Sequence, residues 1–222
     1  EFTDKQGRVV LKRTYAEVGS TVTPHDTYYV YDNFGNLTYV ISPKVDTTNG
    51  VSSIELDELC YQYGYDAQNR LVKKRIPGKG WEYMVYNKMN QPVMTTDPIL
   101  SGQGKWLFTR YDGLGRVAFT GIVNGGSRET EQAAADNVNV QWAEQSTTPT
   151  TVDGMPLYYN TNGYPTLASV SELHTINYYD NYNATRDGLA KPTGQIFGQA
   201  QAVDVKGCLL YTSPSPRDRQ KS

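Results

Sequence analysis

The residues best equipped for chemistry are few: His25 and His174, two cysteines, and aspartates that recur along the first half of the chain, Asp4, Asp32, Asp66 and Asp112. His25 follows a proline in a Thr-rich stretch and His174 leads into a run of strand formers. Neither has a second ligand at the spacing a zinc site uses, or the neighbours of a Ser-His-Asp site. Cys60 sits in Leu59-Cys60-Tyr61, an apolar and aromatic run without a polarising His, so it is expected to be a small buried hydrophobe rather than a nucleophile. The recurring aspartates have the chemistry for calcium coordination or for a pair of glycosidase carboxylates. Each, however, lies in a turn context that accounts for it alone. Asn124-Gly125-Gly126 lacks the Gly-Lys-Ser/Thr ending of a phosphate loop. No catalytic, metal or cofactor site is expected, and the chain is not expected to be an enzyme.

The elements that would position these residues come from a repeat. Three copies are clear: Tyr31-Asp32-Asn33-Phe34-Gly35-Asn36-Leu37, Tyr65-Asp66-Ala67-Gln68-Asn69-Arg70-Leu71 and Tyr111-Asp112-Gly113-Leu114-Gly115-Arg116-Val117. Two weaker copies accompany them. Thr3-Asp4-Lys5-Gln6-Gly7-Arg8-Val9 has Thr for Tyr, and Tyr86-Asn87-Lys88-Met89-Asn90-Gln91-Pro92-Val93 has Asn for the acid. The anchor positions 4, 32, 66, 87 and 112 are 28, 34, 21 and 25 residues apart, which implies connecting loops of unequal length.

Each motif position has a physical task in a β-hairpin. The residues before it, as in Thr27–Tyr31 and Trp106–Tyr111, are aromatic or β-branched and read as an incoming strand. The aspartate accepts a hydrogen bond from a backbone N–H two residues on, and the Gly or Asn three residues on tolerates positive φ. The following Leu or Val starts the return strand, as in Leu37–Ile41 and Val117–Thr120. An isolated hairpin is marginal in water, so the copies must pair edge to edge or stack. The expected fold is mainly β, an extended or spiralling antiparallel sheet of hairpins, its Tyr-rich strands better suited to a wall with both faces partly wet than to a compact sandwich.

Composition agrees and excludes other classes. Tyr is used 18 times against Phe 5 and Trp 3, beside Gly 20 and Pro 11, a mixture of strand and turn formers. The 21 basic and 23 acidic residues give a net charge of −2, without the basic excess of a nucleic-acid binder. No stretch approaches the apolar length of a membrane helix, so no membrane insertion is expected within this sequence. At the C-terminal end, Cys208-Leu209-Leu210-Tyr211-Thr212-Ser213-Pro214-Ser215-Pro216-Arg217-Asp218 resembles the translation of a transposase-type sequencing adapter. Residues 208–222 are therefore expected to be non-native. Without Arg217, Arg219, Lys221 and Asp218 the counts fall from 21 and 23 to 18 and 22, a net charge of −4. Cys60 is then the one cysteine left, and no disulfide can form within 1–207.

The motif residues Asp4, Gly7, Arg8, Tyr31, Asp32, Gly35, Leu37, Tyr65, Asp66, Asn69, Arg70, Leu71, Tyr86, Asn87, Tyr111, Asp112, Gly115, Arg116 and Val117 resemble the unit of the bacterial RHS/YD-repeat proteins. That unit is a Tyr-Asp hairpin followed by Gly and Arg or Asn. The resemblance covers about 1–120, with a softer match continuing to Asn177-Tyr178-Tyr179-Asp180-Asn181-Tyr182. It implies a β-sheet spiral closed into a hollow shell of the polymorphic-toxin type. Such a shell belongs to an exported or cell-surface protein and encloses a variable C-terminal toxin or effector, which here would lie beyond Gly207. The partners implied are the remainder of its own chain. An alternative reading is a surface adhesion module that binds glycans through exposed Tyr and Trp, because aromatic faces suit the C–H patches of a pyranose.

The chain is accordingly divided into a hairpin-repeat region, 1–121, a pre-core region, 122–207, and the tail, 208–222. In the second region Ser127 is a cap-like residue before acids and an Ala run. Ala134, Val138 and Trp142 recur every four residues, which predicts one short α-helix around 128–143. Residues 146–154 are expected to be a loop, 155–170 irregular or short strands, 173–179 a strand and 183–198 an extended loop. The turn argument makes a direct prediction: Gly35→Val or Gly115→Val is expected to cost at least ~1 kcal/mol of stability if those positions hold positive φ. Chemical denaturation measures it, and a neutral result would overturn the assigned register.

Overall fold

A computed structural model describes residues 1–160 and 162–179, together with the backbone of 195–196, 199–200 and 209–213. The chain is mainly β, arranged as antiparallel sheet with short helices. It divides into two compact units, Glu1–Met84 with Asp97–Ile99, and Val85–Thr96 with Leu100–Ser222. The division falls within a strand, whereas the sequence division at 121/122 marks where recognisable motif copies stop.

In the first unit the strands lie side by side in chain order: Phe2–Thr3 (β1), Val9–Val18 (β2), Thr21–Tyr31 (β3), Leu37–Ile41 (β4), Cys60–Tyr65 (β5), Leu71–Arg75 (β6) and Trp81–Tyr86 (β7), the last ending in the second unit. Every described pairing is antiparallel, such as Tyr28 opposite Ile41 and Gln62 opposite Arg75. The motif turns join β1 to β2, β3 to β4 and β5 to β6. Each of these hairpins shifts register at its motif residue, for example between Val30 and Tyr31, because the turn inserts a residue that the opposite strand does not match. Ser53–Leu59 (α1) spans the gap between β4 and β5. Ser52 and Glu55 close a reciprocal capping box at its start, a Ser-x-x-Glu signal that the sequence reading did not use. The core of this unit is thin, with Val45, Cys60, Gln62 and Val72 buried and most strand residues only half-buried. That matches the expectation of a partly wet wall.

The second unit is different. Pro92–Thr96 (β8), Lys105–Tyr111 (β9), Val117–Asn124 (β10) and Val170–Tyr179 (β13) lie in that order, and Pro98–Gly102 (α2) precedes β9. Gln145–Val152 (β11) and Met155–Tyr159 (β12) pair with each other and cover one face. Phe108 packs edge-on to Phe119, Phe119 tilts onto Tyr159, and Tyr159 stacks on Tyr178 with centroids 5.3 Å apart. All four are buried with Leu157, Leu173 and Ile176, so this region has a dry core on one side of its sheet, contrary to the expectation of two wet faces.

Two other expectations change here. The helix is Arg128–Asn137 (α3), capped by the Ser127 hydroxyl, with Glu129 and Glu131 in its first turn, and it stops well before 143. Val138 is extended, and the Asn137-Val138-Asn139-Val140 run combines poor helix formers with a two-residue alternation. Ala134, Val138 and Trp142 therefore do not form a helical stripe. Residues 146–152, expected to loop, belong to β11, since Thr-rich sequence is strand-forming and Asp153-Gly154, both with positive φ, close a tight hairpin into β12.

Of the expected loop 183–198, only Gln195–Ile196 (β14), which pairs with Gln199–Ala200 (β15), falls among the described residues. Leu209–Ser213 (β16), within the tail expected to be non-native, runs antiparallel to β13. A Leu-Leu-Tyr-Thr segment has the composition to fill such an edge whatever its origin.

Candidate functional site

The five motif copies form the same object. In each, the N–H of the anchor residue donates to the carbonyl four residues on, at 2.9 Å for Asp4, Asp32 and Asp112 and 3.0 Å for Asp66 and Asn87. The N–H three residues on returns to the anchor carbonyl, at 3.0 to 3.1 Å, from Gly7, Gly35, Asn69, Asn90 and Gly115. All five of those residues hold positive φ, between 58° and 87°.

The anchor side chain organises the loop. One oxygen of Asp66 accepts from the N–H groups of Gln68 and Arg70, both at 2.9 Å, and the other from Arg70 Nε at 2.7 Å. Asp4 and Asp112 repeat this with Arg8 and Arg116, and Asp32 repeats it with the amide of Asn36. The carboxylates are thus committed to their own turns rather than gathered into one cluster. Where the fourth copy has Asn87 for the acid, Gln91 stands where an Arg stands in three of the other copies. Asn87 Oδ1 accepts from the N–H groups of Met89 and Gln91, and its Nδ2 donates to Gln91 Oε1 at 2.8 Å. A neutral pair replaces an ion pair at a buried position, which avoids leaving one charge unpaired.

A second contact links successive copies. The Tyr31 hydroxyl donates to the carbonyl of Val9, and that of Tyr65 to Leu37, each at 3.0 Å. In the second unit Tyr111 donates to Pro92 at 3.0 Å and Tyr179 to Val117 at 3.1 Å. Every acceptor is the fifth residue after its own anchor, the first of a return strand. At these positions the Tyr is therefore a tether to the copy before it. Tyr179 makes the same contact, and the Asp180 that follows it lies outside the described residues. Burial pushes the Tyr65, Tyr111 and Tyr179 hydroxyls up from their ordinary range, so they remain protonated donors.

Side chains reinforce the tether. The Arg8 guanidinium lies over the Tyr31 ring, 4.8 Å from its centroid, and Arg116 over Tyr179 at 4.3 Å. Arg8 Nη1 lies 3.3 Å from where a Cβ on Gly35 would stand, and Gln91 Nε2 lies 3.4 Å from the equivalent point on Gly115. Glycine at these positions thus supplies positive φ and also room for the preceding copy. In the third copy Asn69 replaces the glycine, and the residue reaching it is the shorter Asn36, whose Nδ2 donates to Asn69 Oδ1 at 3.1 Å. Positions 9, 36, 91, 92 and 179 have these roles without being singled out as motif sites by sequence, and Leu37 is singled out only as the start of a return strand, because the partner lies a whole repeat away. The recurring signal that would have found them is the fixed offset from each anchor.

Two buried polar side chains anchor the second unit. Tyr86 exchanges both backbone hydrogen bonds with the Gln132 amide on α3, at 3.0 and 2.8 Å, so the amide stands in for a neighbouring strand. Arg110, 2% exposed, donates to the carbonyls of Pro165 and Asn162, and burial lowers its pKa to about 10. Tyr164 donates to Glu131, which ties the same loop to α3. Cys60 is buried with its thiol pushed up by burial. His25 is exposed, while His174 sits 3.4 Å from Glu172. Among the described residues no three His, Cys, Asp or Glu side chains converge as metal ligands.

No family model and no curated protein matches the sequence. Among solved structures, the chain is similar to TcdB2-TccC3 without its hypervariable C-terminal region, at 14% identity and a TM-score of 0.42, covering 95% of this chain and 10% of that one. It is similar to TcdB2-TccC3-Cdc42 at 14% identity and a TM-score of 0.43 over the same shares, and to TcdB2-TccC3-TEV at 12% and 0.42 over 82% of this chain and 10% of that one. The chain spans about a tenth of the length of these structures.

The turn geometry sets a pH dependence. Burial by itself would raise the Asp66 carboxyl, but the hydrogen bonds from Arg70 and Gln68 outweigh it and hold the pKa below the ordinary carboxylate value. A lowered folded-state pKa stabilises above the unfolded pKa and loses that contribution as pH falls through the folded one. Asp66→Asn is thus expected to cost about 1 kcal/mol at neutral pH. In urea denaturation at a series of pH values, the gap between Asp66→Asn and the parent is expected to shrink below about pH 4. A gap that stays constant into acid would contradict the charge-assisted turn.

Proposed function

We propose that this chain is a structural repeat module of a large exported or surface protein of the RHS/YD-repeat type, part of a β-shell wall around a C-terminal toxin or effector. The observation that carries this reading is a tether from a Tyr hydroxyl to the return strand of the preceding copy, present at Tyr31, Tyr65, Tyr111 and Tyr179. A contact that joins each hairpin to the one before it extends a sheet by repetition, which is how a long wall is built from units that are individually marginal. The recurring motif carboxylates serve their own turns, and on this reading the module contributes enclosure rather than catalysis. The residues that continue the chain would complete the wall.

The test is a long read of the parent gene through the codon of Gly207. The expected outcome is a frame that departs from 208–222 and runs into further Tyr-Asp copies and then a compositionally distinct terminal domain. A frame that leads directly into an anchoring segment, with neither more copies nor such a domain, would overturn the shell-wall reading.

A further inference from the structure

In the first unit β2 and β3 outrun their neighbours. β4 pairs only with Tyr28–Tyr31 of β3, and β1 meets β2 only at Val9 and Leu11. Residues 12–27 therefore project as a two-stranded ribbon, closed by the two-residue loop Gly19-Ser20 with Gly19 at a φ of 66°. Such a ribbon is marginal by itself in water.

Register fixes what each edge of the ribbon offers. A two-residue loop is closed by a pair that exchanges both backbone hydrogen bonds, here Val18 and Thr21, and the pairs beyond it alternate. Arg13, Tyr15 and Glu17 thus turn their own N–H and C=O groups outward on one edge, and Val22, Pro24 and Asp26 do so on the other. The contacts of β1 at Val9 and Leu11 continue the first series. Pro24 has no N–H to present, so the β3 edge is blunted, while the β2 edge keeps its full set of donors and acceptors.

The same six residues share one face of the ribbon. Tyr15, 68% exposed, and Val22, 58% exposed, make it apolar at its centre. Arg13 donates twice to Asp26, at 2.7 Å each, and Glu17 stands exposed near the tip. This pattern is complementary to itself. A second copy of the strand, laid antiparallel on the open edge about a two-fold axis at Tyr15, sets Tyr15 against Tyr15 and Arg13 against Glu17 twice. A guanidinium has five N–H donors and the Asp26 pair engages two, so Arg13 can hold a second carboxylate. Parallel strands would set like charges together, and sliding the antiparallel strands by two residues would lose both ion pairs.

We infer that the β2 edge is a self-association surface, on which two copies of this chain pair antiparallel through residues 13–17 with Tyr15 on the two-fold axis. The contact rests on the ribbon and is separate from the tethers.

The test is sedimentation velocity of the full chain up to about 1 mM, since a contact this short belongs to the weak class. A monomer–dimer equilibrium is expected. Tyr15→Pro, which removes an outward N–H as Pro24 does on the other edge, and Glu17→Lys, which sets like charges opposite, are each expected to weaken it about tenfold or more. The register is read separately, in a Cys208→Ser background under mild oxidation with diamide. Tyr15→Cys is expected to give a disulfide-linked dimer, because directly opposed Cα atoms lie about 5.5 Å apart. Lys12→Cys is not, because the two positions 12 would lie about 20 Å apart. Should Tyr15→Pro fail to fold, Glu17→Lys and the cross-links decide. A chain that stays monomeric, a dimer unchanged in the folded variants, or cross-linking at position 12 as readily as at 15 would overturn the inference.

Discussion

The side chain that opens each turn, aspartate in four copies and Asn87 in the other, makes the contact on which the rest depends. A carboxylate that accepts two backbone N–H groups and a side-chain donor makes a tight reversal self-sufficient, so the hairpin does not need a core beneath it to hold its shape. That is what permits a first unit in which few side chains are buried and a sheet can still be kept in register. The fourth copy supports this by its chemistry rather than by its resemblance. Asn87 and Gln91 keep the same pattern of donors and acceptors while discarding both charges, as a hydrogen-bonding requirement demands and a purely electrostatic one does not.

Local turns alone would leave a string of hairpins. The tyrosine tethers and the stacked arginines convert that string into a sheet whose neighbours constrain each other. The glycine three residues into the turn leaves space for the side chain arriving from the preceding copy, so two demands fall on one position at Gly35 and Gly115. The second unit then departs from repetition. A hairpin, β11 to β12, covers one face, and aromatic stacking around Phe119, Tyr159 and Tyr178 supplies the buried apolar area that the first unit lacks.

What was legible in the sequence followed the range of the interactions. The motif turns and most of their flanking strands were readable, because the hydrogen bonds of Asp32 or Asp112 close within four residues. The tethers were not, because Tyr65 and Leu37 are 28 residues apart and nothing local marks the acceptor carbonyl. The helix was readable at Ser127, whose cap is local. Its end was obscured by a four-residue apolar spacing that Asn137 and Asn139 could not sustain as helix. At 146–154 the Asp153-Gly154 hairpin signal was present in the sequence and was outweighed by the Thr and Pro content around it. Arg110 gave no sequence signal at all, since its partners are the carbonyls of a loop more than fifty residues away.

The most direct measurement of the central claim is native-state hydrogen exchange on the chain with Tyr65→Phe, which removes one tether hydroxyl and nothing else. If copies are held by their neighbours, protection falls in the paired strands 37–41 and 60–65 while the turn at Asp112 keeps its own. Unchanged protection in those strands, or a loss spread evenly over all five turns, would contradict the account.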